Sequence, residues 1–135
     1  MKQVLTGTFR LLRQVNGVGA YAAANVEVQI EPHRKWPAGA SLQLVTGTPR
    51  LLSEEREAAL SGANDALEIL APYDARLAHA EIVLTHLDIN DADTEPSAVR
   101  AATAAAVADA IGLGQNVSLS FDDGWRLSVS TQPGE

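Results

Sequence analysis

Residues 53–111 read SEEREAALSGANDALEILAPYDARLAHAEIVLTHLDINDADTEPSAVRAATAAAVADAI, and the periodicity of this stretch decides the fold. Ser53 is a capping residue, and Glu54 and Glu55 follow in the first turn, where the helix dipole favours negative charge. Ala59, Leu60, Ala63, Ala66, Leu67 and Leu70 recur at helical spacing and predict one apolar face. Pro72 ends this helix, because proline lacks the N–H that would continue it. Residues 77–87 form an apolar run that reads as a strand. An acidic loop follows: Asp88, Ile89, Asn90, Asp91, Ala92 and Asp93. A second helix is expected after Asp93-Thr94-Glu95-Pro96, which offers a capping residue and a proline for the first turn. Val99, Thr103, Val107, Ala110 and Ile111 make its stripe, and Gly112 and Gly114 stop it. The alanine run at 101–106 combines helix propensity with close packing against a sheet. Function carried by this stretch is expected in the acidic loop, since the rest is needed for packing.

Working outward, residues 6–14 read as a strand with Phe9 and Leu11 on one face. Asn16-Gly17-Val18-Gly19 is a turn signal. Residues 20–31 are extended, with Val26, Val28 and Ile30 alternating against Glu27, Gln29 and Glu31. Residues 32–39 form a connection, and Leu42 and Leu44 alternate in a short strand. Past the second helix, Val117, Leu119 and Phe121 alternate, Asp122-Asp123-Gly124 turns, and Trp125, Leu127 and Val129 alternate again, which is a hairpin signal. The order strands, helix, strand, helix, strands predicts an α+β two-layer sandwich. Two helices cover one face of a mixed or antiparallel sheet.

A chain of 135 residues fits one domain, 1–135. The absence of cysteine excludes disulfides and Cys-ligated metals within this sequence. No apolar run approaches the roughly 20 residues that span a bilayer, and no signal peptide is visible. The expectation is a soluble, cytoplasmic domain without a membrane partner. The net charge of −7 is uneven: residues 1–50 hold six Lys/Arg against two acids, and residues 51–135 hold four against fifteen. Broad non-specific nucleic-acid affinity is disfavoured by that balance.

The acidic loop has oxygen ligands at alternating positions, as a hard cation needs. A calcium loop beginning at Asp88 requires glycine at its sixth position and glutamate at its twelfth. The chain has Asp93 and Val99 there. The loop therefore reads as solvated, its last acids capping a helix, and no metal or cofactor is expected. His33, His79 and His86 show no ligand spacing. His79 and His86 are seven residues apart, which on one strand puts them on opposite faces. No Gly-x-Ser-x-Gly turn marks a nucleophilic hydrolase. The glycine-rich turn at Asn16 leads into a strand and lacks the Lys-Ser/Thr of a phosphate loop, so it reads as a hairpin tip. Arg34-Lys35-Trp36 has the charge and stacking face that single-stranded nucleic acid uses. Three such residues in a loop read more readily as a solvated connection with an aromatic folded over the core.

Two stretches together resemble domain IV of the translational GTPases of the elongation factor G type, including the ribosomal protection proteins of tetracycline resistance. The first is Arg13-Gln14-Val15-Asn16-Gly17-Val18-Gly19-Ala20-Tyr21 with the strand ending Val28-Gln29-Ile30-Glu31-Pro32. The second runs over 62–111 and is similar in Gly62, Ala66, Ile82-Val83-Leu84, Asp93, Ala102, Ala106 and Ala110. Pro96-Ser97-Ala98-Val99-Arg100 looks more like the ribosomal protection branch. The resemblance covers nearly the whole chain. It implies a mixed sheet with two helices on one face and a left-handed crossover. It also implies a tip of two loops that acts at the decoding region of the ribosome, against RNA and tRNA. Here those loops would be Asn16, Gly17, Val18, Gly19 and Ala20, and Asp88, Ile89, Asn90, Asp91 and Ala92, with Arg13 as a neighbouring phosphate contact. Where elongation factors carry a basic residue between the glycines this chain has Val18, and where they carry a histidine in the second loop it has Asn90. The GTPase domain of the family has no counterpart in these residues, so the expected role is non-enzymatic. The alternative is a module that kept the fold, lost ribosomal RNA binding and meets a protein partner.

Overall fold

Alternating apolar residues pair the first two strands along their whole length. β1 (Gln3–Val15) and β2 (Val18–Ile30) run antiparallel from Gln3 opposite Ile30 to Val15 opposite Val18. The computed structural model describes residues 3–15, 18–31, 38–42, 53–89, 96–121 and 125–129. Ala22, Ala24, Val26, Val28 and Ile30 are buried on one face of β2, and Leu11 of β1 is buried on the same side. Both strands are longer than the alternation suggests. Val18 and Gly19 belong to β2 rather than to a turn, which leaves Asn16-Gly17 as the connection. A two-residue Asn-Gly connection suits the right-handed twist of a hairpin; it lies outside the described residues.

β3 (Gly39–Leu42) pairs in parallel with β4 (Ala80–Ile89), and the sheet order is β1-β2-β4-β3. Parallel neighbours need a crossover, and α1 (Ser53–Leu70) supplies it. The short strand thus begins before Leu42; Leu44 lies outside the described residues. The strand expected at 77–87 begins later. Asp74 accepts a hydrogen bond from the Arg76 backbone N–H at 3.0 Å and caps a short 3-10 helix, Ala75–His79. Leu77 still enters the core, at 1% exposure, but from that turn. At its other end β4 continues through Asp88 and Ile89, two residues that the sequence pattern assigns to the loop. Both remain paired to β2 there, opposite Ala23 and Ala22.

A β-bulge interrupts β4. Asn25 faces His86 and Val26 faces Leu84, so Thr85 is the extra residue. The extra residue reverses the strand's alternation. Ile82 and Leu84 face the core before it, and Leu87 faces the core after it. The rule that sets His79 and His86 on opposite faces therefore fails twice: His79 is in the 3-10 helix, and the bulge lies between them.

α2 (Pro96–Ala110) packs against α1, β1 and β2, and against the antiparallel hairpin of β5 (Val117–Phe121) and β6 (Trp125–Val129). Every residue at 98–108 is buried except Arg100. The expected stripe is therefore too narrow, because a helix enclosed on several sides must be apolar around its circumference. Thr103 is fully buried, and its hydroxyl donates to the Val99 carbonyl at 2.8 Å, which satisfies it within the helix. Gly112 ends the element at φ +84°. Leu113 N–H donates to the Ala108 carbonyl at 2.8 Å and Gly112 N–H to that of Asp109 at 3.1 Å, the paired bonds of a glycine C-cap. The protein is an α+β two-layer sandwich with a mixed four-stranded sheet under two helices.

Candidate functional site

The ladder registers show what shares one end of the sheet. β1 and β2 stay paired to Val15 and Val18. The β2–β4 ladder stops where Ala22 meets Ile89. The hairpin therefore continues past the last β4 pairing by the four residues 18–21, roughly 13 Å at a strand's rise of about 3.3 Å per residue. The connection at 16–17 leaves the hairpin at this end, and the connection at 90–95 leaves β4 at this same end. Of the residues expected at the tip, Arg13 lies in β1 opposite Ala20, Val18 lies opposite Val15, and Gly19 lies opposite Gln14. Asp88 and Ile89 are the last two residues of β4. Asn16, Gly17, Asn90 and Asp91 lie outside the described residues, as does Ala92. The Arg34-Lys35-Trp36 cluster also lies outside them.

The sheet has two faces with different chemistry. Directly paired residues point to one side, so Ala23 and Asp88 share the face away from the helices, and Arg10, opposite Ala23 on β1, completes their row. The next row holds Thr8, Asn25 and His86. Here the Thr8 hydroxyl donates to Asn25 Oδ1 at 2.7 Å, and the Thr85 hydroxyl donates to the Asn25 carbonyl at 3.2 Å. Asn25 thus ties the edge strand to the bulge. A shallow polar hollow lies beside it, about 320 Å³ in volume, lined by Thr6, Gly7, Thr8, Asn25, Glu27, Thr85 and others. Asp88 is a half-buried strand residue in a row with an arginine, which differs from the freely solvated loop acid that its neighbours in sequence suggest. Among the described residues no group of three or more His, Cys, Asp or Glu side chains is arranged to hold a metal; Asn90, Asp91 and Asp93 lie outside them.

The bulge escapes a reading by alternation alone, although it leaves a mark in the sequence. Apolar residues step by two from Ile82 to Leu84 and then by three to Leu87, and such a skip in a strand signals an extra residue. The contact between Asp109 of α2 and the backbone of β1 has no signature of that kind, because it joins residues 101 positions apart.

The fold and its strand ends define an α+β module in which the ends of β1 and β4 lead to the same end of the sheet. A similar fold occurs in a crystal structure of a protein from Thermus thermophilus, with a TM-score of 0.62 at 16% identity over 76% of this chain. The chain spans 14% of the length of that protein. At this identity the likeness is one of fold. No protein-family model matches the chain, and no curated protein matches it. Among the described residues no helix is long and apolar enough to cross a membrane.

Proposed function

We propose that this chain is a non-enzymatic, ribosome-directed module like domain IV of elongation factor G or of the ribosomal protection proteins. It acts in the cytoplasm, and its two adjacent connections approach the decoding region. The single observation that supports this most is the ladder register. It brings the ends leading to Asn16-Gly17 and to Asn90-Asp91 to one end of the sheet, with the hairpin projecting beyond β4. A projecting narrow ribbon suits insertion into a cleft, and its backbone groups and Arg13 suit contact with phosphate and unpaired bases. The occurrence of the fold within a much longer Thermus chain fits a unit that serves inside larger proteins.

Co-sedimentation with small ribosomal subunits at two salt concentrations tests the proposal. Retention at low salt that falls as salt rises, and that Arg13→Ala weakens, is the expected outcome. No retention at low salt, where charge attraction is strongest, overturns it. A second reading is favoured by the fifteen acids against four basic residues in 51–135: a module that meets a protein partner through the same fold. Loss of retention with preserved folding would favour this reading.

A further inference from the structure

We infer that Asp109 guards the free edge of the sheet against strand addition, including addition of a second copy of this chain. Among the described residues β1 stands at the end of the sheet order and pairs with β2 alone. In an antiparallel ladder a residue directs its N–H and C=O to one side, and successive residues alternate. The Thr8 N–H donates to Asp109 Oδ2 at 2.9 Å, so the backbone of Thr8 points away from β2. By alternation that of Thr6 and Val4 does too. A row of outward backbone groups is a template for another strand, and Val4 at 48% exposure adds an apolar side chain to it.

Asp109 interrupts the edge at Thr8. Gly7 lets α2 come so close that a Cβ there would collide with the Ala106 carbonyl and with Ala110. That approach brings Asp109, about one turn beyond Ala106, over the neighbouring Thr8 N–H. The carboxylate occupies the donor that an added strand would use and places a negative charge in its path. Beside it lies a groove of about 490 Å³, between β1 and the turn after α2, lined by Thr8, Phe9, Ala105, Asp109, Gln115 and Asn116 among others. The occupant against which the guard acts is β1 of another molecule. The same edge in two copies is self-complementary about a two-fold axis.

The test is the mass of Asp109→Ala across a wide concentration range, by size-exclusion chromatography with light scattering. Alanine is a good helix former, and far-UV circular dichroism checks that the fold is kept. The variant should double in mass as concentration rises while the wild type stays monomeric. Asp109→Asn keeps an acceptor and should stay monomeric. Adding Thr6→Pro to the alanine variant removes an outward N–H, a change that edge strands tolerate, and should restore the monomer. In the wild type, the Thr8 amide should exchange with solvent many-fold more slowly than those of Val4 and Thr6. The inference is overturned by a folded Asp109→Ala that stays monomeric throughout. Dimerisation of Asp109→Asn to the same extent, a double variant that still dimerises, or equal exchange at the three amides also overturns it.

Discussion

α1 leaves Glu54, Glu57, Asn64, Glu68 and Ile69 exposed and buries Ala59, Ala63, Ala66 and Leu70. α2 buries ten of the eleven residues at 98–108, and its one exposed member there, Arg100, reaches across to Asp65 of α1 with Nη2 to Oδ1 at 2.8 Å. The first helix lies on the surface, so one stripe suffices. The second is enclosed by α1, the sheet and the β5–β6 hairpin, where small residues let several neighbours come close together. Alanine is common in both helices for different reasons: in α1 it marks a face, and in α2 it sets spacing.

A pair of leucine substitutions breaks the comparison most directly. Ala102→Leu adds a branched side chain at a position with 0% exposure. Overpacking of this kind costs about 1–3 kcal/mol, and the site has neighbours on several sides, so a loss near 3 kcal/mol is expected. Asn64→Leu places the same side chain on the exposed face of α1 and should change stability by about 0.5 kcal/mol or less. Urea unfolding of the two variants measures the difference. Equal effects would mean that α2 is no more enclosed than α1.

The interface between the helices sharpens it. A Cβ on Gly62 would collide with the Arg100 carbonyl of α2, and the obstacle is backbone, which does not swing aside. Alanine gains about 1 kcal/mol over glycine in helix propensity, so at an open site Gly62→Ala would stabilise. Here the collision should outweigh that gain and leave a net loss of about 1–2 kcal/mol. A rise in melting temperature would show that the helices can separate at no cost. Trp125 reports from the same helix, since its backbone N–H donates to Ser97 Oγ at 3.0 Å at the start of α2.

This contrast also explains what the sequence can tell. α1 is legible from Ser53 to Leu70 because a one-sided helix writes its period in apolar spacing. α2 is legible in position but not in burial, since an alanine-rich helix has the same appearance on a surface as in a core. The strands β1, β2, β5 and β6 follow from alternation, but β1 and β2 run further toward Asn16 than the glycine-rich turn signal suggests. Residues 77–79 read as strand because Leu77 is apolar. What decides them is a side-chain bond from Asp74 to a backbone two residues on, which competes with extended structure. Asp88 reads as loop because charge alone suggests solvent; its pairing with Ala23 depends on β2, far away in sequence. Of the candidate site, adjacency of the two connections is implied by the family resemblance. The guard at Thr8 depends on a packing distance that no local pattern records.

The turn that follows α1 gives the smallest and most specific effect. Asp74 accepts from Arg76 Nε at 3.0 Å and from Nη2 at 2.7 Å, beside the backbone bond that caps the 3-10 helix. The side-chain hydrogen bond from Arg76 is the main cause that holds the Asp74 carboxyl below its ordinary value of 3.8, against a smaller opposing push from burial. A carboxyl lowered on folding contributes stability above its unfolded pKa and loses it as pH falls through the folded value. The contribution is therefore full at neutral pH and fades below about pH 4. The arginine is 42% exposed, so solvent screening keeps the ion pair itself under about 1 kcal/mol. Asp74→Asn should lower stability by that order at pH 7, and the penalty should shrink as pH falls below about 4 and the wild-type carboxyl takes up its proton. Denaturant unfolding at a series of pH values from neutral downward measures the difference, and a penalty that stays constant with pH would place the effect in the cap alone, outside the charge pair.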